Sequence, residues 1–388
     1  HSAYLTKEEM DELQRQMSGE LQGIGTEVAL TEDKAVGVVR VMPNSPAEKA
    51  GVQDGDRIIA IVNGDEYTLI SALADIGEAV KKIRGKPGTS VTLKILRGEK
   101  DEPVTVTIVR AAITVEMVKT EILTVPNDPN TKYAYVKLVQ FGEALREKMV
   151  NATLDILGKN KDVKGIIFDV RSNPGGLLGE VYEAVDALAD SPDALVSIRD
   201  NSGIHAYGTA LNSQPGDITG GLPMAVLVDG RSASASEIFA GALKELDRAV
   251  IIGKGTWRKG SVQGFANTGN GSYAKTTQAE YLIGSPTRWV AVQCVGVEPD
   301  IAYEAQVAWK PKKEIHECDL PGAIVSGGAR SAGNPAKAPL AERDPARYGM
   351  GEQMLEAVKA FDQKAFTKSE QLRKQLKLQE PKDDPEEK

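Results

Sequence analysis

Apolar positions alternate with period two along four runs in the first third of the chain: VGVVRVM (36–42), DRIIAIVNG (56–64), SVTLKILRG (90–98) and VTVTIVRA (104–111). This spacing predicts half-buried strands. NSPAEKAGVQDGD (44–56), rich in turn and cap residues, separates the first two, and EKDE (99–102) turns the last pair. Between them LISALADIGEAVKKIR (69–84) reads as a helix, stopped by Gly85 and Pro87. A β-rich module over 20–113 follows, preceded at 1–19 by a polar helical segment capped by Thr6. From 114 the pattern changes: YAYVKLV (133–139) is a strand and EALREKMVNATLDILGKN (143–160) an amphipathic helix. KGIIFDVR (164–171) and MAVLVDG (224–230) are nearly continuous apolar runs, as expected of strands buried on both faces, and helices follow at 179–190 and up to 246. AVIIG, KGSVQGF and AKTTQAEYLI complete an α/β domain over 114–305. The 306–388 extension holds a Gly/Ala/Pro-rich linker (327–347), a surface helix over 354–376 and a disordered acidic end.

Composition narrows the function. A net charge of −8 argues against nucleic acid as a partner, and no apolar run is long enough to span a bilayer as a helix. The chain opens on His1 in mid-pattern, which leaves room for a removed leader or anchor. Two cysteines, Cys294 and Cys318, are too few for a disulfide scaffold or structural zinc; one bridge and two unrelated thiols both fit. There is no G-x-S-x-G, H-E-x-x-H, C-x-x-C or P-loop, and the three histidines sit in polar surroundings. Serine chemistry here needs a base other than histidine, and no metal or organic cofactor is implied.

The candidate chemistry lies in VDGRSASASEIFAGALKEL (228–246), where three serines precede a helix-periodic run. Ser234-x-x-Glu237 reads as a capping box, and a strand–turn–helix junction also aims N–H donors at a serine. GKGTWRKGSVQGF (253–265) offers a lysine before a strand; burial would have to lower its pKa by roughly 3 units for it to act as a base. DVRSNPGG (169–176) lets backbone N–H groups approach a ligand. Physical reading leaves open which serine, if any, is a nucleophile.

These stretches in this order, with VGVEPDI after them, resemble the carboxyl-terminal processing proteases, PDZ-containing serine peptidases with a Ser-Lys dyad. The resemblance covers about residues 1–305. It implies a PDZ domain at 20–113 and a crotonase/ClpP-like α/β protease core at 114–305. By the same resemblance Ser234 is the nucleophile, Lys259 the base and Gln263 the residue that orients the lysine, with Gly176 and Ala235 N–H groups as the oxyanion hole. Gly23, Ile24 and Gly25 would hold a peptide carboxylate, and Arg84 would report the position of the PDZ domain. The function implied is cleavage of proteins with free C-terminal tails in the bacterial periplasm, with an activator or adaptor and a homo-oligomer as further partners. Two departures stand out: Trp257-Arg258 replaces a Phe-Gly pair, and Arg288-Trp289 stands where Gly and Arg are expected. They keep alive a latent, peptide-binding adaptor, whereas a thioester enzyme on the same core would need neither the PDZ module nor the Ser-Lys pair.

Overall fold

The structure, a computed structural model, describes residues 2–98, 100–114, 116–190, 196–200, 203–207, 216–269, 271–285, 288–305, 316–320 and 345–376. A short strand β1 (Ala3–Leu5) precedes α1 (Lys7–Ser18), whose start is a capping box between Thr6 and Glu9. Strand β2 (Glu20–Gly23) pairs antiparallel with β9 (Ala111–Thr114), closing the base of the first module. Within it lie β3 (Thr26–Leu30), β4 (Val36–Val41), the one-turn α2 (Pro46–Lys49), β5 (Arg57–Asn63), β6 (Glu66–Leu69), α3 (Ile76–Ile83), β7 (Ser90–Arg97) and β8 (Glu102–Val109). The sheet runs β3-β4-β5-β7-β8, so β3 is an edge with one face of its ladder open. Its core is the predicted alternating set, Val36, Val38, Ile58, Leu93, Ile95 and Ile108 among them. The predicted 69–84 helix is shorter. Residues Ile70–Ala72 form a 3-10 turn, and Asp75 caps α3 by accepting the Glu78 amide at 2.8 Å, so the helix starts at Ile76.

The second domain is built on β10 (Val118–Val125), β11 (Asp128–Leu138), α4 (Leu145–Lys159), β12 (Ile166–Asp169), α5 (Leu178–Asp186), the hairpin β13 (Val196–Asp200) and β14 (Gly203–Tyr207), and β15 (Met224–Val228). It continues through α6 (Ala235–Glu245), β16 (Val250–Gly253), β17 (Ser261–Asn267), β18 (Tyr273–Ser285), β19 (Arg288–Ala291) and β20 (Ile301–Ala302). The central sheet runs β10-β11-β12-β15-β16-β20, parallel from β11 onward. Alternate residues face opposite layers. Ile166, Phe168, Val226 and Ile251 join the core shared with α4, α5 and α6, while Ile167, Ala225, Leu227 and Ile252 face the other side.

That other side is covered by α7 (Pro345–Leu376). The expected surface helix therefore begins earlier and is half core: Met354, Leu355, Ala357 and Val358 are buried, and Phe361 lies 5.0 Å from Tyr135 ring to ring. Gly165 and Gly351 let the layers meet, since a Cβ at Gly351 would fall 2.9 Å from Val250. The 327–344 part of the expected linker and the acidic end lie outside the described residues. A second, antiparallel sheet forms around β18, which pairs with β1, β13, β17 and β19. Cys294 and Cys318 are joined as a disulfide.

Candidate active site

Three loops leave the carboxyl ends of three adjacent parallel strands: 170–177 after β12, 229–234 after β15 and 254–260 after β16. Ligand sites of open α/β sheets form at such ends. The middle loop resolves the three serines. Ser232 and Ser236 are fully buried, and their hydroxyls donate to the Val170 and Asn173 carbonyls at 2.8 and 2.9 Å. Ser234 alone is partly exposed, at the N-terminus of α6. Its backbone, at φ 56° and ψ −115°, lies where L-residues other than glycine are strained.

The capping interaction expected at Glu237 is part of a larger arrangement. Its carboxylate accepts the Ser234 amide at 2.8 Å, the Thr256 hydroxyl at 2.5 Å, the Arg258 amide at 2.6 Å and the Lys259 amide at 2.9 Å. One buried side chain thus fastens the Ser234 turn to the lysine loop. Burial pushes its pKa up to about 7, against the pull of these donors. Trp257 N–H adds a backbone bond to the Ser232 carbonyl at 3.0 Å.

Around the lysine the picture is less complete. Lys259 is half-buried, and among the described residues its ammonium makes no hydrogen bond, to Ser234 or elsewhere. The Gln263 amide donates to Thr277 at 2.9 Å and Ser261 at 3.2 Å, and its buried Oε1 has no partner among the described residues. Tyr281, whose hydroxyl donates to the Lys259 carbonyl, lies close to Ser234. Burial, then the nearby Glu237 charge, raises the Tyr281 pKa well above its ordinary value. Lys275 on β18 is lowered by burial and by the charge of Lys259. Lys275 is thus a second cation near Lys259.

Arg258 explains part of the departure at 257–258. It sits at φ 75°, a conformation that glycine adopts freely, and reaches Glu298 at 3.9 Å. The Trp257 indole donates to Glu317 at 2.9 Å, and the Glu317 amide returns a bond to the Trp257 carbonyl at 3.0 Å. The disulfide holds this segment beside the lysine loop, since the Cys294 amide donates to the Arg258 carbonyl at 3.0 Å.

The two glycines of the first loop do different things. A Cβ at Gly175 would fall 2.8 Å from Ser234 Cβ and 2.9 Å from the Ala235 nitrogen, so Gly175 is the residue that lets the loop reach the serine. Gly176, at φ 149°, packs on the Phe141 backbone, where a Cβ would lie 2.1 Å from the carbonyl oxygen. Among the described residues neither the Gly176 nor the Ala235 N–H is used by a protein acceptor.

A second site lies in the first module. Gly23, Ile24 and Gly25 line a cavity of about 220 Å³ with Val28, Val80, Ile83 and Arg84. Gly25, at φ 84°, admits no Cβ, which would fall 2.3 Å from Ser45. Among the described residues the Ile24 and Gly25 N–H groups have no acceptor. The loop opens directly onto the free edge of β3.

Residues 132–303 match peptidase family S41, and residues 37–97 match the PDZ domain. A carboxy-terminal-processing protease of Bartonella bacilliformis is 35% identical over 350 residues, 89% of this chain and 76% of that one. The chain belongs to this family. The carboxy-terminal processing protease CtpB of Bacillus subtilis is 33% identical across 78% of the chain, which spans 59% of the relative's length. Among solved structures, a photosystem II D1 C-terminal processing protease is 27% identical, with 78% of each chain covered and a TM-score of 0.48. As an S41 peptidase with a PDZ domain, the chain is a mixed α/β serine protease of the C-terminal processing type.

Proposed function

We propose that the protein is a serine endopeptidase that captures unstructured C-terminal tails in the PDZ cavity and cleaves through an acyl-enzyme on Ser234. The tail adds as a strand to β3, with its carboxylate on the Ile24 and Gly25 N–H groups and its last apolar side chain against Val80 and Ile83. Ser234 attacks the scissile carbonyl as Lys259 takes its proton; Lys259 then returns that proton to the leaving amine, and water completes hydrolysis by the same route. The Gly176 and Ala235 N–H groups, at a helix N-terminus, hold the oxyanion. The observation that carries this reading is Ser234 itself: alone of three serines it is accessible and strained, and its amide shares Glu237 with that of Lys259.

A resting, latent form is favoured by a second observation. Among the described residues the Lys259 ammonium makes no bond to Ser234, and Tyr281 is the hydroxyl tied to the lysine's own carbonyl. Assembly of the pair then requires a shift of the lysine side chain, driven by the bound tail or by an activator, and Gln263 Oε1 is the acceptor awaiting it. The disulfide is in keeping with an oxidising, periplasmic location. The test is cleavage of casein by the wild type, Ser234→Ala and Lys259→Ala. Loss in both folded variants supports the dyad; activity retained in Ser234→Ala removes it.

A further inference from the structure

Beneath the loop that meets Ser234 lies a buried ionic cluster that the proposed chemistry does not use. Asp169, at the end of β12, accepts the Tyr135 hydroxyl at 2.6 Å, Lys137 Nζ at 3.0 Å and the Arg171 amide at 2.7 Å. The Arg171 guanidinium also reaches it at 2.7 Å. Burial alone would raise its pKa, but Arg171 and Lys137 hold it at about 2. Two cations here face a single local carboxylate. The second comes from far along the chain: Asp362 of α7 takes Arg171 in a two-pronged pair at 2.6 and 3.1 Å, and also accepts the Tyr303 hydroxyl at 2.9 Å. Such a fork fixes both direction and distance.

From Arg171 the contacts run straight to the serine. Lys137 Nζ donates to the Arg171 carbonyl at 2.5 Å, and the Ser172 amide donates to Asp229 at 2.8 Å. The Asn173 carbonyl accepts the Ala233 amide at 3.1 Å, and Gly175 lies on Ser234. In the other direction α7 leaves the core. Roughly 20 Å further along its axis, at 1.5 Å per residue, it ends against β4 of the PDZ module. There Leu376 is fully buried, and the Gln375 amide lies over Gly55, 2.7 Å from where a Cβ would be. β4 is the partner of β3, the strand on which a tail would add.

We propose that Asp362 is a positioning residue for the 171–176 loop and that α7 is a rod transmitting the position of the PDZ module to that loop. This rests on the reading of Ser234 and the PDZ cavity given above. A helix resists bending, so movement of β4 is delivered at Asp362 and changes how firmly Arg171 holds the oxyanion-side glycines.

The test is hydrogen exchange of the full-length chain, which needs no catalysis. The probe is a decapeptide ending in Leu-Val with a free carboxylate, with its amidated form as control. In Asp362→Asn, exchange over 171–176 rises about tenfold while 224–228 is unchanged. In the wild type the peptide slows exchange over 171–176 several-fold. In Leu376→Asp, which leaves the cluster untouched, the peptide binds equally well but no longer does so. Asp362→Asn also lowers the rate of Ser234 labelling by a fluorophosphonate about tenfold at unaltered peptide affinity, a split that a brace for the fold alone would not produce. Unchanged loop exchange in Asp362→Asn, or a full peptide response in Leu376→Asp, overturns the proposal. Labelling of the wild type, and its loss in Ser234→Ala, checks the reading of the active site separately.

Discussion

The PDZ cavity and the Ser234 site both offer unpartnered backbone N–H groups to an anion, yet they are built from opposite materials. Around the cavity the unusual backbone angles fall on Gly23 and Gly25, where they carry no steric cost, and most of the wall side chains are apolar, with Arg84 the one charge among them. Around Ser234 they fall not only on glycines, Gly175 and Gly176, but also on the side-chain-bearing Ser234 and Arg258, and the supports are buried charges, Glu237 and the Asp169 cluster. Holding a carboxylate needs only relaxed geometry. Presenting a nucleophile needs a side chain in a place where the backbone does not favour one, so neighbours must hold it there.

That contrast can be broken or sharpened by substitution. The largest effect falls on Glu237. Its folded-state pKa of about 7 exceeds the ordinary 4.5, so between those values the folded chain retains a proton that the unfolded chain has lost. Stability therefore falls as pH rises from 4.5 to 7, by about 3 kcal/mol. Glu237→Gln should flatten this dependence in denaturant titrations at pH 5 and pH 8. It should also loosen the Ser234–Lys259 tie and slow phosphonate labelling.

Next come two glycines that should dissociate the sites. Gly175→Ala pushes a methyl against Ser234 and should slow labelling by about 100-fold, the cost of an ångström-scale misplacement, while tail-peptide affinity stays at the wild-type value. Gly25→Ala should do the reverse, weakening the peptide by about 30-fold, or about 2 kcal/mol, with basal labelling retained. Equal effects of both variants on both readouts would erase the distinction between the two sites. The smallest effect concerns strain itself. Ser234→Gly should unfold at higher denaturant than Ser234→Ala by about 1 kcal/mol, because glycine accepts φ 56° and alanine does not. At Gly23 no such gain is available.

Local pattern carried the strands, the two-faced central sheet and the loops at its carboxyl ends, because alternation and turn residues act over a few positions. Motif order and resemblance carried the choice of Ser234, Lys259 and Gln263. What stayed hidden depends on contacts made across the fold. Glu237 reads as a helix cap from its place three residues after Ser234, and nothing nearby shows that Thr256, Arg258 and Lys259 share its carboxylate. Tyr281 and Lys275 reach the site through the register of β17 on β18, set by pairing rather than composition. Asp362 looks like one more surface acid until its helix is laid on the sheet. Leu69–Arg84 reads as one helix because its apolar spacing continues through Leu73, whereas Asp75 caps from within.

The place of α7 in chain order has a consequence for synthesis. The sheet face formed by Ile167, Ala225, Leu227 and Ile252 is complete in sequence by residue 252, but its cover arrives with residues 350–361. A ribosome must therefore deliver about a hundred further residues before that face can close. Until then the Arg171 loop lacks its second carboxylate. A polypeptide interrupted before this point would display an apolar face to quality-control factors while its serine remained poorly aimed, so the arrival of α7 dates the moment at which this face can close.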